Sequence, residues 1–417
     1  MMVSFTTTIY QSPDALGVAE WLRWAGFRFD PFGPLDAAAD PHLSEYLVGH
    51  HIFARVWGDG ISWVFAPAGG GKTALRIAVT QACWVGQETN RPFPIPYVPP
   101  FLAWGHARPS EEEHLLALIR SGTRALFLAM AHRPHWFFQL DASGRQEVAN
   151  LFSWNLPGPL AAYLSLCRQS GHVAPLRETL DPTFILRDPP NEVTLQQWCD
   201  ALEAAIDRQP APSPPERWAQ LLAVLRKLLS FPCVYILADG FDGAPETIDD
   251  PIVVADCLRP LLHPVEEWAQ EKVFLKAFLP TETLPILTEQ FPALLSADRT
   301  AVIQWTPDLL AEVVRRRVYV ASGGDFGSLD AVASPALRDV ETVLARAVLP
   351  LPREMLVLTR QVIEEHVRRE GAEGLLKSED IEAAIKAYSL TLSPVGNGRR
   401  KSEEFCTGER PIPLYIH

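Results

Sequence analysis

Apolar residues follow two rhythms along this 417-residue chain. Short continuous runs, bounded by glycine or proline, alternate with longer stretches in which apolar positions recur every three or four residues. The first rhythm predicts buried strands and the second amphipathic helices. Residues 61–66 (ISWVFA), between Gly60 and Pro67, are the clearest strand, and 73–84 (TALRIAVTQACW) read as the helix after it. Four more strand candidates follow at 95–104, 233–238, 272–279 and 301–305. Continuous apolar strands alternating with helices predict an α/β fold, a five-stranded parallel sheet covered on both faces.

The spacing is uneven. About 130 residues separate the second strand candidate from the third, with helical patterns at 110–132, 143–153, 157–169, 193–207 and 215–229. This reads as a helical insertion at about 105–230 in a core spanning 61–305. Residues 1–60 read as an N-terminal helical and entry segment, with a helix at 14–27, a proline-broken stretch at 28–42 and a helix or turn at 43–57. Residues 306–389 read as a helical lid and 390–417 as a disordered tail.

Composition narrows the classes. With 47% hydrophobic and 21% charged residues, the chain has ample material for a core. A net charge of −13 argues against coating nucleic acid over the whole surface. No apolar run reaches membrane-spanning length, and the first residues lack the basic and apolar regions of a secretory leader. Six cysteines with no C-x-x-C pair point away from a zinc ribbon and a disulfide framework, and toward a reducing cytoplasm.

The sharpest chemistry lies at Ala66-Pro67-Ala68-Gly69-Gly70-Gly71-Lys72-Thr73, then Ala74. It matches G-x-x-x-x-G-K-[ST] with Ala66 in place of the first glycine. Consecutive glycines let backbone N–H groups converge on a phosphate, and the helix start adds positive potential. Lys72 would reach the β- and γ-phosphates and Thr73 would ligate Mg2+. A second signal is the apolar strand ending at Asp239, the form in which a carboxylate holds the metal beside a phosphate loop. Gly240 follows, where many hydrolytic P-loop enzymes carry Glu. Asp242 and Glu246 are the remaining carboxylates; Asp242 reads either as the group that positions water or as a loop-ordering residue.

These residues together resemble the AAA+/STAND branch of P-loop ATPases, including NACHT-type and origin-recognition-like groups. Asp239-Gly240-Phe241-Asp242 looks like the STAND form of the metal-carboxylate strand, with Gly243 where that form continues with Glu. Leu47-Val48-Gly49-His50 resembles the element that seats adenine, with His50 replacing Arg, and Asp30-Pro31-Phe32 resembles the entry loop. The resemblance implies a three-layer P-loop core with strand order 5-1-4-3-2, and ATP and Mg2+ as cofactors. It implies Thr281 as the polar sensor after the fourth strand and Arg299 as a finger reaching a neighbour's nucleotide. It also implies Arg353 of Leu351-Pro352-Arg353 as the lid arginine on the γ-phosphate.

Plainer readings stand beside these. His50-His51 read as a solvated pair at a helix start. Arg315-Arg316-Arg317 read as cations at the C-terminus of a helix over 306–318, and Arg399-Arg400-Lys401 as part of a solvated tail. The favoured function is an ATP-driven molecular switch whose nucleotide state controls oligomerisation or docking of a separate effector. Alternatives are a DNA-transaction ATPase of the loader or transposition-regulator type, and a small-molecule phosphotransferase.

Overall fold

The computed structural model describes residues 13–86, 89–186, 190–207 and 209–392. Five short apolar runs form one sheet: β1 (Ser62–Ala66), β2 (Phe93–Tyr97), β3 (Val234–Ala238), β4 (Val273–Pro280) and β5 (Thr300–Val302). All pairings are parallel, in the order β2-β3-β4-β1-β5, which read from the other edge is the expected 5-1-4-3-2.

Alternation along each strand sends neighbouring side chains to opposite faces. Trp63, Phe65, Ile95, Ile236 and Leu275 join one core with Phe127, Leu151, Trp198 and Leu221 from the helices between β2 and β3. Val64, Tyr235, Leu237 and Phe278 join a second core, with Leu75 and Val79 of the helix Lys72–Trp84 and Ile52 and Val56 of Ile52–Val56. Strands buried on both faces must be apolar throughout, which is why they lack an alternating polar pattern. Each such large side chain contributes roughly 1.5–3 kcal/mol of burial.

A third core is wholly helical. It gathers Leu310 and Val314 of Pro307–Ala321, Leu358 and Val362 of Pro352–Glu370 and Ile381 of Ser378–Leu392. Trp21 and Leu22 of the N-terminal helix Pro13–Trp24 and Phe32 of the entry segment pack into it. The helix Pro13–Trp24 and the entry segment therefore belong to the helical lid: Trp21 Nε1 donates to Gly374 O at 2.9 Å, and Arg360 pairs with Asp30 at 2.9 Å.

Several expectations need correction. The second strand is Phe93–Tyr97, not 95–104, and Phe101–Trp104 is a helical turn. Phe93 N–H donates to Cys233 O and Tyr97 O accepts from Asp239 N–H, so the odd positions carry the ladder. Pro94 and Pro96 fall on the open side of this edge strand, where proline is tolerated. Residues 43–57 break into Leu43–Tyr46 and Ile52–Val56. The helix placed over 306–318 continues to Ala321, so Arg315, Arg316 and Arg317 lie inside it. They point three ways: Arg315 toward Glu341, Arg316 to Glu312 and Leu47 O, and Arg317 to Asp40 and Pro31 O. The last helix runs to Leu392, and Arg399-Arg400-Lys401 and Cys406 lie outside the described residues. The five described cysteines are free and buried, and no described helix is long and apolar enough to cross a membrane.

Among the described residues Lys276 is the one lysine inside a strand. It points into the second core, where Nζ donates to Gly58 O at 2.9 Å and Ser62 Oγ at 3.3 Å, and lies 4.7 Å from the Tyr235 ring centre. Desolvation lowers its pKa from 10.5 to about 8. The folded state thus holds this proton less tightly than the unfolded chain does. The charge therefore destabilises the fold fully below about pH 8, and the penalty fades as pH rises toward 10.5. The shift corresponds to about 3 kcal/mol. Lys276→Met should be more stable than the wild type at neutral pH, with a difference that shrinks between those two values; chemical denaturation across pH measures it.

Candidate functional site

The loop 66–73 leaves the C-terminal end of β1 and enters the helix Lys72–Trp84. Gly71 is its N-cap residue, with φ of 91°, and a Cβ there would lie 3.2 Å from Trp305 Cζ2. A left-handed backbone beside an indole admits only glycine without strain. The first-turn N–H groups, those of Lys72 and Thr73 among them, have no carbonyl one turn earlier and face the cleft unpaired within the helix. Two loop carbonyls are engaged from beyond the sheet: Trp305 Nε1 donates to Gly70 O at 2.9 Å, and Arg353 N–H donates to Gly69 O at 3.4 Å. The lid helix Pro352–Glu370 thus begins directly on the loop.

The loop floors a cleft of about 650 Å³, a volume suited to a nucleotide-sized ligand. Ala68 to Leu75, Val48, Gly49, His50, Asp239, Asp242, Trp305 and Arg353 all line it. The sheet edge, the entry segment and the lid therefore meet at one place. Lys72 is buried; its Nζ contacts Ala66 O at 3.1 Å, Pro67 O at 3.3 Å and Asp242 Oδ2 at 3.4 Å. Arg353 is exposed on the rim, and its guanidinium has no carboxylate partner among the described residues.

Asp239 is almost fully buried at the end of β3. Its Oδ2 accepts from Arg76 Nε at 3.1 Å, and Arg76 is equally buried. Arg76 is four residues after Lys72, so the two cations share one helix face. The pattern at Lys72 was legible in the sequence; Arg76 was not, because nothing local marks its partner on β3. Gly240, in place of a second carboxylate, has a backbone reason: φ is 75°, and a Cβ would meet Val98 Cγ1 at 2.9 Å. Thr73 and Asp239 supply the hydroxyl and carboxylate oxygens that Mg2+ accepts, so the donors fit that ion in kind, with Asp239 shared with Arg76. Among the described residues no group of three or more His, Cys, Asp or Glu side chains could hold a metal.

His50 is buried rather than solvated. Its Nε2 lies 3.0 Å from Gln304 O, while Nδ1 accepts from Ile52 N–H at 3.2 Å. Burial lowers its pKa below the usual histidine value, against the raising effect of the bond to Gln304 O. The neutral ring fixes the turn that presents Val48 and Gly49, beside Trp305, whose ring centre is 5.2 Å away. His51 stacks on it from outside.

Thr281 follows Pro280, which pairs with Ala66, so it stands next to the start of the loop. Its hydroxyl oxygen is shielded and has no hydrogen-bond partner. Arg299 lies just before β5, at the other end of the strands from the loop, where its carbonyl accepts from Trp63 N–H and its guanidinium pairs with Glu266 at 2.6 Å. It does not line its own chain's cleft, and neither does Glu246, which is exposed. Trp305, Arg76 and the buried cluster of Arg317, Asp40 and Tyr46 are site components that sequence reasoning missed.

No protein-family model matches the chain, and no curated protein or solved structure matches it either. The site is therefore read from its own geometry.

Breaking a buried ion pair leaves one charge uncompensated, at a cost of about 3–5 kcal/mol. Arg76→Gln should lower unfolding stability by that order, and adding Asp239→Asn should recover most of it. Urea unfolding of the single and double variants measures the difference.

Proposed function

We propose that this protein binds ATP with Mg2+ in the cleft beneath the lid, hydrolyses it slowly, and acts as a switch whose nucleotide state sets the lid. The observation that carries this reading is the convergence of Lys72 from the loop and Arg353 from the lid helix on one cleft, with lid groups hydrogen-bonded to Gly69 O and Gly70 O. A phosphate chain is the ligand that unpaired N–H groups at a helix start, a buried lysine and a free guanidinium suit together.

In this reading the polyphosphate takes the place of the Asp242 carboxylate on Lys72 Nζ, and Arg353 reaches the γ-phosphate. Val48, Gly49, His50 and Trp305 line the base end. Thr73 and, once its bond to Arg76 opens, Asp239 would hold Mg2+, whose chemistry there would be to neutralise charge on the phosphate oxygens. Asp242, released from Lys72, orients the water whose oxygen attacks γ-phosphorus as the bond to the bridging oxygen breaks. Thr281 does not line the cleft, and its shielded hydroxyl beside the start of the loop would sense the phosphate only through a shift of that loop. Turnover is slow because Gly240 offers no second carboxylate and Asp242 starts out engaged.

The lid follows the nucleotide because Arg353 and Trp305 touch the loop itself. Its third core includes the N-terminal helix, so a shift in lid angle moves the chain's start as well. That motion would control assembly of copies or docking of an effector protein.

Charge-assisted bonds to phosphate are worth about 1.5–3 kcal/mol, so Lys72→Ala should weaken ATP binding by roughly ten- to a hundredfold. Asp242→Asn should keep binding and lose phosphate release. Arg353→Ala should bind ATP but lose any ATP-dependent change in mass. Calorimetry, phosphate release and light scattering read these. A wild type that binds no ATP would overturn the proposal.

A further inference from the structure

The helix that carries the phosphate-binding lysine also carries a guanidinium on the carboxylate where a metal would be sought. Arg76 Nε sits 3.1 Å from Asp239 Oδ2, and both side chains are nine-tenths or more buried. The pair lies against the cleft, since Asp239, Lys72, Thr73 and Leu75 all line it. Asp239 has no second cation: Lys72 is on Asp242, and Arg353 stands on the far rim. Of the two carboxylates that line the cleft, the one buried at the end of β3 is thus already neutralised from within the protein.

We infer that Arg76 is an internal counter-cation that stands in for the metal at Asp239, so that nucleotide is held without Mg2+ and the metal enters only by opening this pair. The inference rests on the nucleotide reading above. Its physical basis is charge balance in a place of low dielectric. A divalent cation brought to Asp239 meets a fixed positive charge already seated there, and the repulsion acts with little water to screen it. Displacing Arg76 instead leaves a buried guanidinium without its partner. Either route weakens the metal at this carboxylate. The phosphates lose less, because Lys72, Arg353 and the N–H groups of the loop bind them directly. Metal-free binding then follows from a ground state that is neutral without the ion, and the metal site that Arg76 keeps closed adds to the slowness that Gly240 and the engaged Asp242 already impose.

The test compares binding of a fluorescent ATP analogue by the full chain in Mg2+ and in excess EDTA. The wild type should show less than about a fivefold difference in Kd between the two conditions. Arg76→Gln, which frees Asp239 for the ion, should bind more tightly in Mg2+ than in EDTA by about tenfold or more. Bound Mn2+, followed by its electron-spin resonance in place of Mg2+, should rise in that variant. A wild-type difference of fivefold or more overturns the inference, and this measurement decides even where the variant does not fold. An Arg76→Gln ratio equal to the wild type's overturns the assignment to Arg76. No binding by the wild type in either condition overturns the nucleotide reading and the inference together; binding that requires Mg2+ overturns the inference alone.

Discussion

Two buried cations one helical turn apart, facing two carboxylates at the end of a neighbouring strand, are the constraint around which this molecule is arranged. Lys72 and Arg76 leave the same face of one helix, and Asp242 and Asp239 meet them from the end of β3. Neither cation could be buried alone. The helix can keep them inside only because β3 ends where it does, and β3 ends there because five apolar residues are fully covered by the layers on both faces. Strand length, helix start and charge pairing are thus one condition rather than three.

The lid depends on the same place from the other side. The carbonyls of Gly70 and Gly69 in the loop accept from Trp305 Nε1 and from the backbone N–H of Arg353. Loop and lid therefore share atoms instead of being joined only by a covalent linker. The buried cluster of Arg317, Asp40 and Tyr46 ties the entry segment to a lid helix at the opposite wall of the cleft. The cleft is lined by the entry segment, by the loop shortly after it and, far along the chain, by Pro352 and Arg353 at the start of the lid helix.

Much of this was legible in the residues. The strand at 61–66, the loop after it, the strand ending at Asp239 and the strand at 272–279 are apolar runs closed by glycine, proline or aspartate, and such runs have few other ways to fold. The sheet order followed from the resemblance and not from the pattern. What stayed hidden is tertiary. Proline at 94 and 96 made β2 look displaced, because the side of a strand that lies open cannot be read before its neighbours are known. His50 looked solvated beside His51, although Gln304 and Ile52 bury it. Arg76 has no sequence signature, and Trp305 gains its role only through a carbonyl 235 positions away.

The prolines of β2 also bear on how copies of this chain could meet. The open side of an edge strand normally offers a row of N–H donors on which another strand can grow. At β2 the outward positions are Pro94 and Pro96, which have no N–H to give. That edge has no donor to give at these positions, and the Pro96 carbonyl already accepts from Ser121 Oγ, so a fibril-like extension of the sheet finds little to pair with there. Any association of copies would then fall to helices and loops rather than to a ladder of backbone bonds that would lock once formed.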